Sequence, residues 1–410
     1  MNLPARCKVL IASAALLLAG PAALAEPTRV LFVGNSYTFG RVDPVMSYNA
    51  ANVNDMTQAM WVANPSGSNA FEPHPWGGVP GIFQRLATQA GLDYEVSMST
   101  RNAASLRGQL LNTNAAGWDL RGNIGAQGWD QVVLQEQSDE ALVRRPGLAS
   151  NPEYTRLYTN LIENWLHQGS ALTYRERDFI GGDQASCVAL GYSSGSCSTQ
   201  RTLPANPNAR SSTQVFLYET WARPNLVDGA FVTNTDPVTG AVTRTTTPAT
   251  TFFPTLESMT DELVAAYAQS AALAGADGSG GIAGIAPVGR SFLRAVAEGV
   301  ATRDMWSDGA LTDGLIDLWF DDGTHASRHG SYLSALTLFG TLTGQDPAQF
   351  GGAELAAAEL GIAPADALLL QRIASEQLGF TPAVPEPGAA ALLALGLMAL
   401  RLRRAPRRDL

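Results

Sequence analysis

Apolar residues gather in five short runs, at 29–35, 94–100, 130–137, 214–220 and 282–288, without strict alternation against polar positions. A strand covered on both faces needs no polar face, so such runs predict the strands of a parallel sheet. Helical spacing of apolar residues follows at about 81–90, 152–167, 256–274, 291–301 and 327–342. Strand-then-helix alternation predicts a doubly wound α/β fold. Two stretches interrupt the pattern. Residues 181–212 are rich in Gly, Ser and Pro, and residues 233–251 are Thr-rich and open on Asn234-Thr235-Asp236-Pro237. Both read as surface insertions, either lining a cleft or decorating the surface. Residues 362–383 form a last amphipathic stretch, and Thr381-Pro382 begins a linker.

The two ends follow other rules. Arg6 and Lys8 precede an apolar run at 9–18 and then Ala23-Leu24-Ala25. That is the layout of a secretory signal peptide over residues 1–25, with Glu26 as the first residue after cleavage. A membrane anchor is the competing reading, but the run falls short of the roughly 20 residues that span a bilayer. At the other end Val384-Pro385-Glu386-Pro387 leads into an apolar segment at 389–400 and then Arg401, Arg403, Arg404, Arg407 and Arg408. Taken alone, this is a marginal membrane span whose basic flank stays cytoplasmic. Its three-part order resembles the PEP-CTERM sorting signal of Gram-negative bacteria, over residues 384–410. That resemblance implies export, transient insertion in the inner membrane and removal by an exosortase-type protease. Residues 26–383 are therefore expected in the periplasm, at the cell surface or in the extracellular matrix.

The formal charge of −10 includes Arg6 and Lys8 at one end, and five Arg with Asp409 at the other; without them the body stands at −16. Such a body argues against nucleic acid and anionic membrane surfaces as partners. Cys7 lies in the leader, while Cys187 and Cys197 remain. In an oxidising compartment these two are expected to form a disulfide. So short a loop is stabilised by roughly 2–3 kcal/mol. No His stands near them, which argues against a metal or redox pair. A body of about 360 residues suffices for one large domain with insertions, or for two.

The chemistry lies at opposite ends of the body. Ser36, in Val33-Gly34-Asn35-Ser36-Tyr37-Thr38, directly follows the first apolar run. Sites in open α/β sheets lie at the carboxyl ends of strands. Thr38 occupies the place of the second glycine of a Gly-x-Ser-x-Gly elbow, so the motif is a different one. Asp322-Gly323-Thr324-His325 comes nearly three hundred residues later. A serine hydroxyl needs a base to take its proton, and the base needs a carboxylate on its other nitrogen. Asp322 has the spacing to serve His325, with Asp321 as the rival. His329 is expected on a solvated helix face, His167 at the surface and His74 in a loop. None of the four histidines sits in a ligand cluster, so no metal site and no cofactor is expected. Trp61, Trp76, Trp129, Trp221 and Trp319 fall near strand ends or loops and read as core more than as sugar platforms.

Gly34-Asn35-Ser36-Tyr37-Thr38 and Asp322-Gly323-Thr324-His325 resemble the first and last blocks of the SGNH (GDSL-like) hydrolases. The resemblance covers most of residues 29–343 in order of elements, though only the two end blocks match specifically. It implies a flavodoxin-like three-layer α/β/α sandwich that hydrolyses esters, including acetyl groups on sugars. Ser36 would be the nucleophile, His325 the general base and Asp322 its orienting acid. The middle blocks depart from the family. Its glycine after the second strand and its Gly-x-Asn after the third supply oxyanion donors. Here the corresponding segments read Thr100-Arg101-Asn102-Ala103-Ala104-Ser105 and Val132-Val133-Leu134-Gln135-Glu136-Gln137-Ser138. The backbone N–H groups of Ser36 and Ala104 and the side-chain amide of Gln135 are the expected donors. Gln137, on the same strand face, is the rival; the bland reading is polar groups satisfied at a strand end. The expected activity is that of an exported serine esterase, with acetylated extracellular polysaccharide preferred and a lipid ester next. The competing class is a non-catalytic matrix or carbohydrate-binding protein on the same scaffold, prompted by the missing Gly-x-Asn and the insertions.

Overall fold

The computed structural model describes residues 26–63, 72–112, 119–227, 230–235, 242–247, 251–307, 310 and 312–380. The leader-like 1–25 and the sorting-like 384–410 lie outside the described residues. Five strands form the body of a parallel sheet: β1 (Thr28–Gly34), β2 (Tyr94–Thr100), β3 (Gln131–Gln135), β4 (Gln214–Tyr218) and β5 (Gly284–Ala286). The two-residue strand Asn54–Asp55 pairs with the free edge of β2, making six strands among the described residues. Across the sheet the five run β2-β1-β3-β4-β5, the flavodoxin-like order. All five predicted strands form, with β5 shortened to three residues.

Helices cover both faces, giving three layers. They include α1 (Ser36–Phe39), α2 (Gly78–Gln89), α3 (Leu106–Leu111), α4 (Pro152–His167), α5 (Leu256–Ala276), α6 (Val288–Ala297), α7 (Arg328–Thr343) and α8 (Pro364–Gln377). α2, α6, α7 and α8 form one packed group, and α3, α4 and α5 the other. The amphipathic stretch after residue 362 becomes α8, which packs on α7. That extra layer explains why α7 is buried almost all round and has no polar stripe. The core runs through β1, where Val30, Leu31, Phe32 and Val33 are at most 1% exposed. Burying each such side chain contributes about 2 kcal/mol.

The first insertion is more ordered than its composition implies. Strands Leu172–Arg175 and Gln200–Leu203 pair antiparallel around three short helices, Glu176–Phe179, Gln184–Ala189 and Ser194–Ser198. Cys187 and Cys197 are joined in a disulfide. A fully buried carboxylate, Glu176, anchors the unit. It accepts from Arg107 Nε (2.7 Å), Tyr158 (2.5 Å) and Tyr154 (3.1 Å), and pairs with Arg201 at 3.2 Å. Burial alone would raise the Glu176 carboxyl, but Arg107 and Tyr158 reverse this and hold it below the usual range. Three of these partners were invisible to the insertion's composition because Arg107 comes from α3 and Tyr154 and Tyr158 from α4. Of the second insertion, strands Ala230–Thr235 and Val242–Thr247 pair antiparallel, while residues 236–241 and 248–250 lie outside the described residues. Among the described residues no helix is long and apolar enough to cross a membrane.

Candidate active site

The carboxyl ends of β1, β2 and β3 lie side by side, with Gly34 opposite Thr100 and Val33 opposite Leu134. Ser36 opens α1 immediately beyond β1. Asn35 Oδ1 caps α1 by accepting from the Tyr37 N–H at 3.1 Å. Asn35 Nδ2 donates to Gln137 Oε1 at 2.7 Å and to the Ala104 carbonyl at 3.2 Å. Gln135 Oε1 accepts from the Asn35 N–H at 2.8 Å and the Thr38 hydroxyl at 3.0 Å. Gly34 is required for this close approach. A Cβ there would lie 2.5 Å from Gln135 Oε1 and 2.2 Å from Thr38 Oγ1. The Ser36 turn is thus tied to the exits of both neighbouring strands.

His325 arrives from the far end of the chain, just before α7. Its Nε2 lies 2.9 Å from Ser36 Oγ, and its Nδ1 lies 2.6 Å from Asp322 Oδ2. Asp322 Oδ1 accepts from the backbone N–H groups of Thr324 and His325, both at 2.9 Å. Burial pushes the Asp322 carboxyl up, but the hydrogen bond and charge of His325 outweigh it, so the group sits below the usual carboxylate range. Asp321, the rival orienter, instead offers its backbone carbonyl to Trp306 Nε1. Gly323 takes φ +61, and a Cβ there would meet the Trp306 ring at 2.5 Å. Glycine is therefore the residue that lets the turn close.

Aromatic rings form the floor. Tyr37 stacks on Trp221 with centroids 4.0 Å apart, Trp221 stacks on Phe292 at 4.8 Å, and Tyr37 meets the His325 ring edge-on at 5.7 Å. Trp221 Nε1 donates to the Thr324 carbonyl at 2.9 Å. Trp76, Trp129, Trp221 and Trp319 are all buried, as core residues are.

The oxyanion side differs from expectation. Gln135 is fully buried, and its Nε2 donates to the Glu136 carbonyl, so neither end of its amide faces the cleft. It sits on the last strand residue, beneath the turn; Gln137, two residues on, is the partly exposed member of the pair. Ala104 N–H donates back to the Arg101 carbonyl at 3.3 Å. The left-handed backbone that glycine usually fills falls on Ala103, at φ 51. Sequence reasoning also passed over Glu136. Its Oε1 accepts from the N–H groups of Leu106 (2.9 Å) and Gln137 (2.7 Å), fixing both sides of this edge.

The other histidines are more constrained than predicted. His167 is buried, with Nδ1 2.5 Å from Glu163 and Nε2 2.6 Å from the Thr213 carbonyl. The helix that carries it turns that face inward against the segment entering β4. His74 is buried too, stacked on Trp76 and 2.5 Å from Asp55 Oδ2. His329 is half-buried near Asp366, and burial holds its pKa below the ordinary value. Among the described residues no group of three or more His, Cys, Asp or Glu is placed to hold a metal ion.

No protein-family model matches the sequence, and no curated protein matches it. Two solved structures are similar in backbone. One, from Slackia heliotrinireducens, is described provisionally as an SGNH hydrolase. It is 17% identical, with a TM-score of 0.36 over 77% of this chain and 100% of that one. The second is a DUF4886 family protein from Bacteroides uniformis, 13% identical, with a TM-score of 0.42 over 86% of this chain and 95% of that one. At these values neither likeness carries a function to this chain.

Proposed function

We propose that the chain is a serine hydrolase acting on carboxylic esters. The observation that supports this reading is the unbroken hydrogen-bond chain Ser36–His325–Asp322 at the carboxyl edge of the sheet. Ser36 Oγ attacks the ester carbonyl carbon as its proton passes to His325 Nε2. Asp322 holds Nδ1–H and stabilises the imidazolium. The carbon–oxygen bond to the alcohol breaks, and the alcohol leaves with the proton from His325. Water then gives a proton to His325 and attacks the acyl-serine; the bond from the acyl carbon to Ser36 Oγ breaks, and Ser36 Oγ takes the proton back from His325 as the acid leaves. The Ser36 N–H and the Gln137 amide are the donors offered to the oxyanion.

The substrate we favour is an acetyl ester on extracellular polysaccharide. The motivation is the export-type leader and the sorting-like tail, which also motivate an exosortase-type protease as processing partner. The test is mass-spectrometric detection of a fluorophosphonate adduct on Ser36, with acetate release from acetylated xylan compared with release from long-chain esters. Ser36→Ala should remove the adduct and lower kcat by roughly 10³-fold or more. Glycan binding without any adduct would favour the non-catalytic alternative.

A further inference from the structure

Between the two halves of this site lies one guanidinium. Arg223 follows β4, and its side chain is 12% exposed. Nη1 donates to Ser138 Oγ at 3.0 Å and lies 3.6 Å from Asp139 Oδ2. Nη2 donates to Thr324 Oγ1 at 3.4 Å, and Nε to Asn225 Oδ1 at 3.2 Å. Ser138 directly follows Gln137 on the oxyanion side, and Thr324 directly precedes His325 on the base side. The same short segment holds the turn twice more, since Trp221 Nε1 donates to the Thr324 carbonyl and the Asn225 N–H to the Gly323 carbonyl.

We infer that Arg223 is a positioning residue, clamping the Asp322–His325 turn against the exit of β3 and so setting the distance from base to oxyanion donors. The inference rests on the hydrolase reading above. The chemistry requires arginine, because a planar fork reaches partners on both sides at once, whereas an ammonium is a point donor. Asp139 balances the charge, so the guanidinium does not oppose formation of the His325 cation at full strength. Burial pushes the Asp139 carboxyl up, and Arg223 is the largest influence drawing it back. Placement errors of about 1 Å cost on the order of 10²-fold in rate, which sets the expected scale.

The test uses the full chain, an aryl acetate substrate and fluorophosphonate titration to count working sites. Arg223→Met should lower kcat per labelled site by roughly 10–100-fold while KM moves less than about 3-fold. The acid limb of the kcat/KM profile should move with it, because the His325–Asp322 geometry is disturbed. Arg223→Lys should restore only part of the loss, and Thr324→Val, which removes one contact and keeps the charge, should lower kcat several-fold. If Arg223→Met does not fold, the other two variants carry the test. A merely structural residue would lower Tm and the labelled fraction while leaving kcat per labelled site and the pH profile as in the wild type, and that result overturns the inference. If the wild type neither labels nor releases acetate, the hydrolase reading falls and this inference with it. If the wild type does both and the variants match it per site, the clamp alone falls.

Discussion

Three described histidines hold a carboxylate on Nδ1, His74 with Asp55 among them, and His325 and His167 make the informative contrast. His325 meets Asp322 at 2.6 Å, and His167 meets Glu163 at 2.5 Å. They part company at Nε2. His325 faces the Ser36 hydroxyl, and His167 faces the Thr213 carbonyl. A carbonyl only accepts, so Nε2 of His167 must keep its hydrogen toward Thr213 and is not available to take a proton. A hydroxyl both donates and accepts, so Nε2 of His325 can be the bare nitrogen that takes a proton. Their carboxylates differ in the same sense. Glu163 is fully buried and also accepts from Ser279 Oγ and the Gly281 N–H, whereas the Asp322 side chain is 40% exposed at the cleft. An imidazole–carboxylate pair is therefore not a functional signature; the partner of the remaining nitrogen decides its use.

The largest expected effect that would break this contrast comes from Asp322→Asn. The amide can present an N–H to Nδ1, which favours the wrong tautomer, and kcat should fall by about 10³–10⁴-fold with labelling of Ser36 slowed in parallel. A fall below 10-fold would show that His325 needs no acid to orient it. His167→Gln should act on stability instead. Removing one partner of a buried pair costs roughly 2–4 kcal/mol, read from urea denaturation, while kcat per labelled site stays within about 2-fold. His167 has a raised pKa, chiefly through its hydrogen bond to Glu163, with burial opposing and the Thr213 carbonyl assisting. A raised histidine contributes fully below its unfolded value of about 6.5, and the contribution is lost as pH rises through the folded value. The gap between wild type and His167→Gln should therefore narrow above about pH 6.5. Lost turnover at unchanged stability would erase the distinction between the two pairs.

Much of this was legible in the sequence, for a physical reason. Ser36, Asp322 and His325 were readable because a strand exit and a short Asp-x-x-His turn impose local geometry that spacing reveals. The five strands were readable because burial on both faces leaves continuous apolar runs. His167 was misplaced at the surface because the apolar spacing of α4 does not say that its last turn meets the chain entering β4. Gln135 was assigned to the oxyanion because alternation gives the face of a strand and not the depth at which a residue sits. Gly34 explains that depth, since it leaves room for the Gln135 amide beneath the turn. The Arg107–Glu176–Arg201 cluster joins residues far apart in the chain, and no local pattern marks it.

Glu136 offers the smallest effect and sharpens the comparison from a third side, as a buried carboxyl without an imidazole. Its Oε1 accepts two N–H groups, while Oε2 is buried and has no hydrogen-bond partner. Burial first and the charge of Glu140 second push it up from the ordinary value of 4.5 to about 8, with the Leu106 and Gln137 N–H groups opposing. Below about pH 4.5 folded and unfolded chains both hold this proton, and its contribution to stability is complete. Between there and about pH 8 the unfolded carboxyl ionises while the folded one stays neutral, so the contribution is lost as pH rises. Glu136→Gln keeps the accepting oxygen and cannot ionise. Relative to that variant, the wild type should lose roughly 1–2 kcal/mol across this window, a fraction of the single-site value because Glu140 shares the titration. The comparison is a pair of urea titrations at pH 5 and pH 8. A difference between the two proteins that stays flat with pH would mean that Glu136 is ionised in the fold, and that its two N–H contacts suffice to hold a bare charge at the oxyanion edge.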